Sequence, residues 1–172
     1  MRFAVVLGFA ALLAAAPLGA WALVQPEKPV DLSRYAGRWY EIARVFNKTE
    51  RDCTSSVIDY SRDAKGNVAV VQTCHTPHGD KVYRPHVKVL DPGTNAKLRL
   101  TYFFVVSKDY WVEDRADDYS WAIVGEPSGR WFWVFARTPT LPKTEAERVI
   151  ARAKSFGYET SRPIIYDQHP GR

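Results

Sequence analysis

From residue 38 to residue 136 the chain alternates apolar and polar side chains in short runs broken by turn formers. Leu98, Leu100 and Tyr102 share one side of their segment, and Lys97, Arg99 and Thr101 share the other. Val87 and Val89 oppose His86 and Lys88 in the same way. A period of two marks an antiparallel strand with one buried and one wet face. Carried along the chain, the pattern predicts strands at about 38–46, 53–61, 67–75, 81–90, 97–106, 110–115, 119–125 and 131–137. Between them lie Asp63-Ala64-Lys65-Gly66-Asn67, Thr76-Pro77-His78-Gly79-Asp80, Asp91-Pro92-Gly93-Thr94-Asn95, Ser107-Lys108-Asp109, residues 115–118 and Glu126-Pro127-Ser128-Gly129. Such Gly, Pro, Asn and Asp clusters close hairpins. An all-β, up-and-down antiparallel barrel or a sandwich follows.

The last strand departs from the alternation. Trp131-Phe132-Trp133-Val134-Phe135-Ala136 is apolar on both faces, so its outer side must also be covered. The cover is predicted at about 144–156, where Ala146, Val149, Ile150, Ala153 and Phe156 form one helical stripe. Thr144 is the expected N-cap, with Glu147 three residues on as in a capping box, and Gly157 stops the helix. A last extended piece at about 163–167 (Pro163-Ile164-Ile165-Tyr166) is placed to pair beside the first strand.

At the head of the barrel segment, about 36–138, stands Tyr35-Ala36-Gly37-Arg38-Trp39-Tyr40-Glu41-Ile42-Ala43-Arg44. Gly37 permits positive φ or close backbone approach. Trp39 is a large plug whose N–H needs a partner. Two roles fit: the sealed end of a closed sheet, or a glycine-led strand with an ordinary core tryptophan.

With 172 residues and 46% hydrophobic content, the chain has enough material for one domain. Residues 1–22 read as a secretory signal: Arg2, an apolar run from Phe3 to Ala16, and Ala20-Trp21-Ala22 before cleavage after Ala22. Lacking a cysteine at that site, the product is expected free of lipid in the periplasm or secreted, with a single domain over 23–172. Loss of Arg2 leaves 23 Lys+Arg against 19 Asp+Glu, a dispersed net +4 that argues against nucleic acid. Export also favours a disulfide between Cys53 and Cys74. A hairpin over Ser61–Asn67 would set Tyr60 opposite Asn67 and the two cysteines opposite one another. That bridge is worth roughly 3 kcal/mol on the chain-entropy model.

Catalytic chemistry finds little support. There is no G-x-S-x-G elbow, and His75, His78, His86 and His169 fall in or beside turns or in the tail. His75 and His78 with Asp80 make a poor zinc set, so no metal and no cofactor is expected. Glu113-Asp114 and Asp117-Asp118 sit at a strand connection, where solvated or capping carboxylates are the simpler account. Asn47-Lys48-Thr49 matches a glycosylation acceptor, but the alanine-rich leader has a bacterial look. The aromatic residues remain: 6 Trp, 9 Tyr and 8 Phe. Inside an eight-stranded barrel they either fill the core or line a pocket for one small ligand, and pattern alone allows both.

The order of these features resembles the lipocalins. Gly37-Arg38-Trp39-Tyr40-Glu41-Ile42-Ala43-Arg44 is similar to the first signature of bacterial lipocalins of the Blc type and their apolipoprotein D relatives. Asp117-Asp118-Tyr119 stands where the family usually has a Thr-Asp-Tyr-like loop, without the threonine. Phe135-Ala136-Arg137-Thr138-Pro139 fits the third signature, and the likeness spans roughly 30–170.

The resemblance implies an eight-stranded calyx with the helix packed outside. Arg137 should stack on Trp39 and, with Gly37, seal the closed end. Parity from Arg137 turns Trp131, Trp133 and Phe135 inward and leaves Phe132, Val134 and Ala136 for the helix. Parity from Tyr119 turns Trp121 and Ile123 inward. Val87, Val89, Leu98, Leu100 and Tyr102 complete the expected cavity lining. The resemblance further implies a non-enzymatic binder of a fatty acid or lysophospholipid for storage or transport in envelope maintenance. A rigid cyclic ligand (pigment, haem or sterol) is the second expectation, and an enzyme of lipocalin type a distant third. Peripheral contact with the outer membrane and a homodimer are expected by family analogy alone.

Overall fold

The computed structural model describes residues 25–159 and 161–167. The expected signal at 1–22 and His169 lie outside them. The elements run α1 (Leu32–Tyr35), β1 (Gly37–Val45), β2 (Ser55–Arg62), β3 (Val68–His75), β4 (Lys81–Tyr83), β5 (His86–Val89), β6 (Lys97–Tyr102), β7 (Val106–Arg115), β8 (Trp121–Gly125), β9 (Phe132–Ala136), α2 (Lys143–Ser155) and β10 (Ile164–Tyr166). Neighbouring strands are antiparallel in the order β4-β3-β2-β1-β9-β8-β7-β6-β5, with β10 added on β1. The fold is all-β: a curled nine-strand sheet with one C-terminal helix outside.

The expected strand at 81–90 is two strands. Pro85 has no N–H to give a ladder, and the segment bends there. Its first piece pairs with β3 and its second with β6, so one bent stretch of chain supplies both edges of the curled sheet.

Two turns also differ from expectation. The 97–115 hairpin reverses at residues 103–105, with Tyr102 paired to Val106, rather than at Ser107–Asp109. In the β2–β3 hairpin Tyr60 faces Val70, three residues beyond the expected Asn67. There Asp63 spans a longer loop: its N–H donates to the Asn67 carbonyl, and its carboxylate accepts from the N–H groups of Lys65 and Asn67. Cys74 therefore opposes Ser56, while Cys53 lies in the loop before β2. The Cys53–Cys74 disulfide forms all the same, across a Cα separation of 5.4 Å.

The apolar side chains separate into two layers. Inside the curl, Leu98, Leu100, Val112, Ala122, Val124, Trp133 and Phe135 pack with Tyr35, Trp39 and Tyr60. Outside, Ile42, Phe132, Val134 and Ala136 meet Ala146, Val149, Ile150 and Ala153 of α2, which accounts for the doubly apolar β9. Trp121 and Ile123 belong to this outer layer, contrary to expectation. Tyr119 sits at φ 63° in the turn closed by its N–H to the Ala116 carbonyl, so alternation counted from it does not carry into β8. α2 also starts differently: Pro142 is the N-cap and contributes no side-chain bond, so the Thr144 capping box is absent.

Candidate functional site

The closed end is built from the Gly37–Trp39 stretch and the segment before it. Asp31 caps the short α1 by accepting from the N–H groups of Ser33 and Arg34, and delivers Tyr35 into the core. The Tyr35 carbonyl accepts from Trp39 Nε1 at 2.8 Å, which answers the need of a fully buried indole. Arg137 lies over the other face, its Cζ 3.8 Å from the ring centroid. Its guanidinium donates to the carbonyls of Arg38, Arg34 and Tyr35 at 3.0, 2.6 and 3.2 Å. Gly37 takes φ 100°, and a Cβ there would lie 3.2 Å from Arg137 Nη1. Tyr119 braces the same end between the guanidiniums of Arg34 and Arg115, 4.3 and 4.2 Å from its ring centroid. Its hydroxyl accepts from the Asp31 N–H at 2.9 Å.

Above this floor a cavity of about 770 Å³ opens at the other end of the sheet. Its wall includes the aromatic side chains of Tyr60, Tyr83, Tyr102, Phe103, Tyr110, Trp131, Trp133 and Phe135. The Tyr110 and Trp133 rings are 5.4 Å apart. Tyr102 donates to Gln72 Oε1 at 2.7 Å, and Trp133 Nε1 reaches Glu50 Oε2 at 3.4 Å. Burial raises the Glu50 carboxyl and the Tyr110 phenol above their ordinary pKa values, so the upper wall favours neutral groups. Two polar atoms of lining residues, Trp131 Nε1 and Glu126 Oε1, have no protein partner.

Of the residues expected to line a pocket, Tyr102, Trp131, Trp133 and Phe135 do border the cavity. Val87, Val89, Leu98 and Leu100 face the interior but pack in the apolar cluster with Tyr35 and Trp39, and do not border it. Alternation reports the face of a strand and is blind to depth along it. Val30, bonded from its N–H to the Thr94 carbonyl, helps fill that lower part. Trp121 and Ile123 lie under the helix.

Sequence reasoning overlooked the loop 46–54, which folds over the opening and carries Glu50 into the wall. It also overlooked what holds that loop. Buried Arg44 donates to Glu41 Oε1 at 2.7 Å, to Asp167, and to the carbonyls of Glu50 and Cys53 at 3.2 and 2.9 Å. Asp167 accepts in turn from the Ser56 N–H at 2.7 Å. Burial, then the neighbouring Asp167 and Glu50 carboxylates, pushes Glu41 well up; burial also raises Asp167. The paired signal was present in the sequence: Glu41 and Arg44 are charges inside the otherwise non-ionic run Trp39–Val45, beyond Arg38 at the strand's start.

The candidate carboxylates and His75 have structural partners. Glu113 accepts from the Tyr158 hydroxyl, Asp114 meets Arg152 at 3.0 Å, and Asp117 meets Lys28 at 2.8 Å. His75 Nδ1 lies 2.8 Å from Asp80 Oδ1 at the surface.

Comparison with known proteins agrees with this architecture. Residues 30–168 match the family model described as a lipocalin-like domain. The chain is 26% identical over 148 residues to an outer membrane lipoprotein Blc of Vibrio cholerae, covering 84% of this chain and 86% of that protein. It is 30% identical over 132 residues to apolipoprotein D of Rattus norvegicus, covering 68% of each. Among solved structures, insecticyanin from Manduca sexta superposes with a TM-score of 0.68 at 21% identity, over 86% of this chain and 85% of that one.

Proposed function

The chain belongs to the lipocalin-like family, and from that premise we propose that it is an exported carrier holding one single-chain amphiphile, a fatty acid or lysophospholipid, in its cavity. The observation that carries this reading is the cavity itself. About 770 Å³ of space is closed below by the Trp39–Arg137 floor, walled by aromatic rings and open at one end. That volume lies within the roughly 300–1,000 Å³ typical of small-molecule pockets. Each methylene removed from water there contributes about 0.8 kcal/mol.

In this reading the acyl chain lies against Phe135, Trp133, Tyr110 and Tyr60. Lys48, Lys81 and Lys108 at the opening meet an anionic headgroup. Nothing in this arrangement needs catalysis. The relatives named as outer membrane lipoproteins support a place in the cell envelope, where such a carrier would store or move lipid.

The same aromatic wall keeps a rigid cyclic ligand as the second reading. Native mass spectrometry of the purified protein, followed by organic extraction, separates the two. A co-purifying single-chain lipid supports the first reading. A chromophore with visible absorbance, or a sterol mass, supports the second and sinks the first.

A further inference from the structure

The β6–β7 hairpin ends in a tip that the fold does not explain. Of the six exposed large apolar side chains among the described residues, four are consecutive here: Phe103 is 76% exposed, Phe104 94%, Val105 80% and Val106 48%. Phe103 and Phe104 occupy the two central positions of the turn closed by the Val105 N–H to the Tyr102 carbonyl. Both take positive φ, 50° and 62°. That left-handed pair is the geometry of a tight hairpin turn, where Asn and Gly are favoured and bulky side chains are strained. An Asn-Gly pair would close the same hairpin with less strain and without two exposed phenyl rings. Phe103 packs edge-on to the Tyr83 ring, 6.5 Å between centroids, whereas Phe104 projects into solvent and serves something outside the folded chain.

We propose that the Phe103–Val106 tip is a membrane-docking wedge, which inserts into the headgroup region of an anionic bilayer and turns the cavity mouth toward it. Shape favours a lipid surface over a second protein. A stable protein interface takes about 800 Å² per partner, whereas this is a protruding hairpin end. Charge favours an anionic one. Of the charged side chains that line the cavity itself, the exposed ones are Lys48, Lys81 and Lys108, all cations. The carboxylates there are withdrawn: Asp109 is held by Arg99 at 2.6 Å and Glu50 faces the Trp133 indole. Asp52, on the same rim, lies 3.7 Å from Lys81. Apolar insertion combined with a cationic rim is the two-part attachment that peripheral proteins use. Phe103 and Val106 border the cavity as well, so docking would join its opening to the bilayer and spare an acyl chain the passage through water. That consequence rests on the ligand reading above; docking itself does not.

The test is flotation with vesicles of phosphatidylethanolamine and phosphatidylglycerol, comparing wild type with the double variant Phe104→Asn, Val105→Ser. Neither position borders the cavity, and Asn tolerates positive φ. Wild type should float with the vesicles, less so at high salt. The variant should partition about tenfold or more weakly, while its affinity for dibromostearic acid stays within about twofold. Wild type remaining in solution, or the variant floating as wild type does, would overturn the proposal. So would a wild-type dimer that the variant abolishes without any change in flotation, which would assign the tip to a second copy. Flotation lost in the variant while neither protein binds acyl probe would uphold the wedge and strike the ligand reading alone.

Discussion

The guanidinium of Arg137 lies 3.8 Å from the centroid of the Trp39 indole, and both groups bond to the Tyr35 carbonyl. One carbonyl thus gathers the first strand, the end of the last and the short helix that plugs the floor. Replacing Trp39 by alanine removes a fully buried indole and should cost about 3–5 kcal/mol. Arg137→Met should cost about 2–3 kcal/mol through its lost carbonyl bonds. A double-mutant cycle in urea should return roughly 0.5–2 kcal/mol of coupling. Additive effects would show that the stacking carries no energy of its own.

Gly125 and Tyr158 are in closer contact still. A Cβ on Gly125 would meet the Tyr158 hydroxyl at 2.1 Å and ring carbons at 2.2 and 2.5 Å, so the ring lies flush on the β8 backbone. Gly125→Ala must push the ring away and break its bond to Glu113. A loss of about 1–3 kcal/mol is expected from thermal or urea unfolding. Combining it with Tyr158→Phe should give less than the sum.

Glu113 sets a pH dependence. Burial raises its pKa to about 7, partly offset by the Tyr158 hydrogen bond, against an ordinary 4.5. The folded state therefore holds a proton that the unfolded chain has released, and stability falls as pH rises through that window. Wild-type stability should drop between about pH 5 and pH 7.5, by at most a few kcal/mol from this group. Asp167, raised to about 6, acts in the same direction. Glu113→Gln should flatten the slope by about one proton and leave the variant the more stable at pH 8. An unchanged slope in chemical denaturation across that range would refute the assignment.

The disulfide closes a separation of 21 residues and tethers the loop that brings Glu50 over the cavity. Cys53→Ser with Cys74→Ser should cost about 3 kcal/mol. It should also weaken acyl binding, because the loop would then be held by hydrogen bonds and ion pairs only, chiefly those of Arg44 and Thr54. Full affinity in a destabilised double variant would mean the loop plays no part at the mouth.

Much of the barrel could be read from the sequence because period-two patterning is a local signal. The inward Trp133 and Phe135 and the helix-facing Phe132, Val134 and Ala136 followed from alternation counted back from Arg137, whose inward place the lipocalin resemblance supplied. Reading failed wherever the backbone left the regular period. Tyr119 at positive φ reversed the inferred facing of Trp121 and Ile123, and Pro85 divided one strand into two. The turn at 103–105 was hidden because its Phe-Phe pair carries no turn chemistry. The Arg44–Asp167 contact spans 123 residues, and no local pattern reports a partner that distant. Cavity depth was likewise hidden, since Leu98 and Leu100 face inward as Tyr102 does but fill the lower interior.

The central claim is that an acyl chain lies against Trp133. Its most direct test is tryptophan quenching by dibromostearic acid, in which bromine acts only at contact range. Wild type should show saturable quenching at one equivalent, and Trp133→Phe should lose a clear part of it while still binding. No saturable quenching in wild type, or the same quenching in both proteins, would contradict a ligand seated in this cavity.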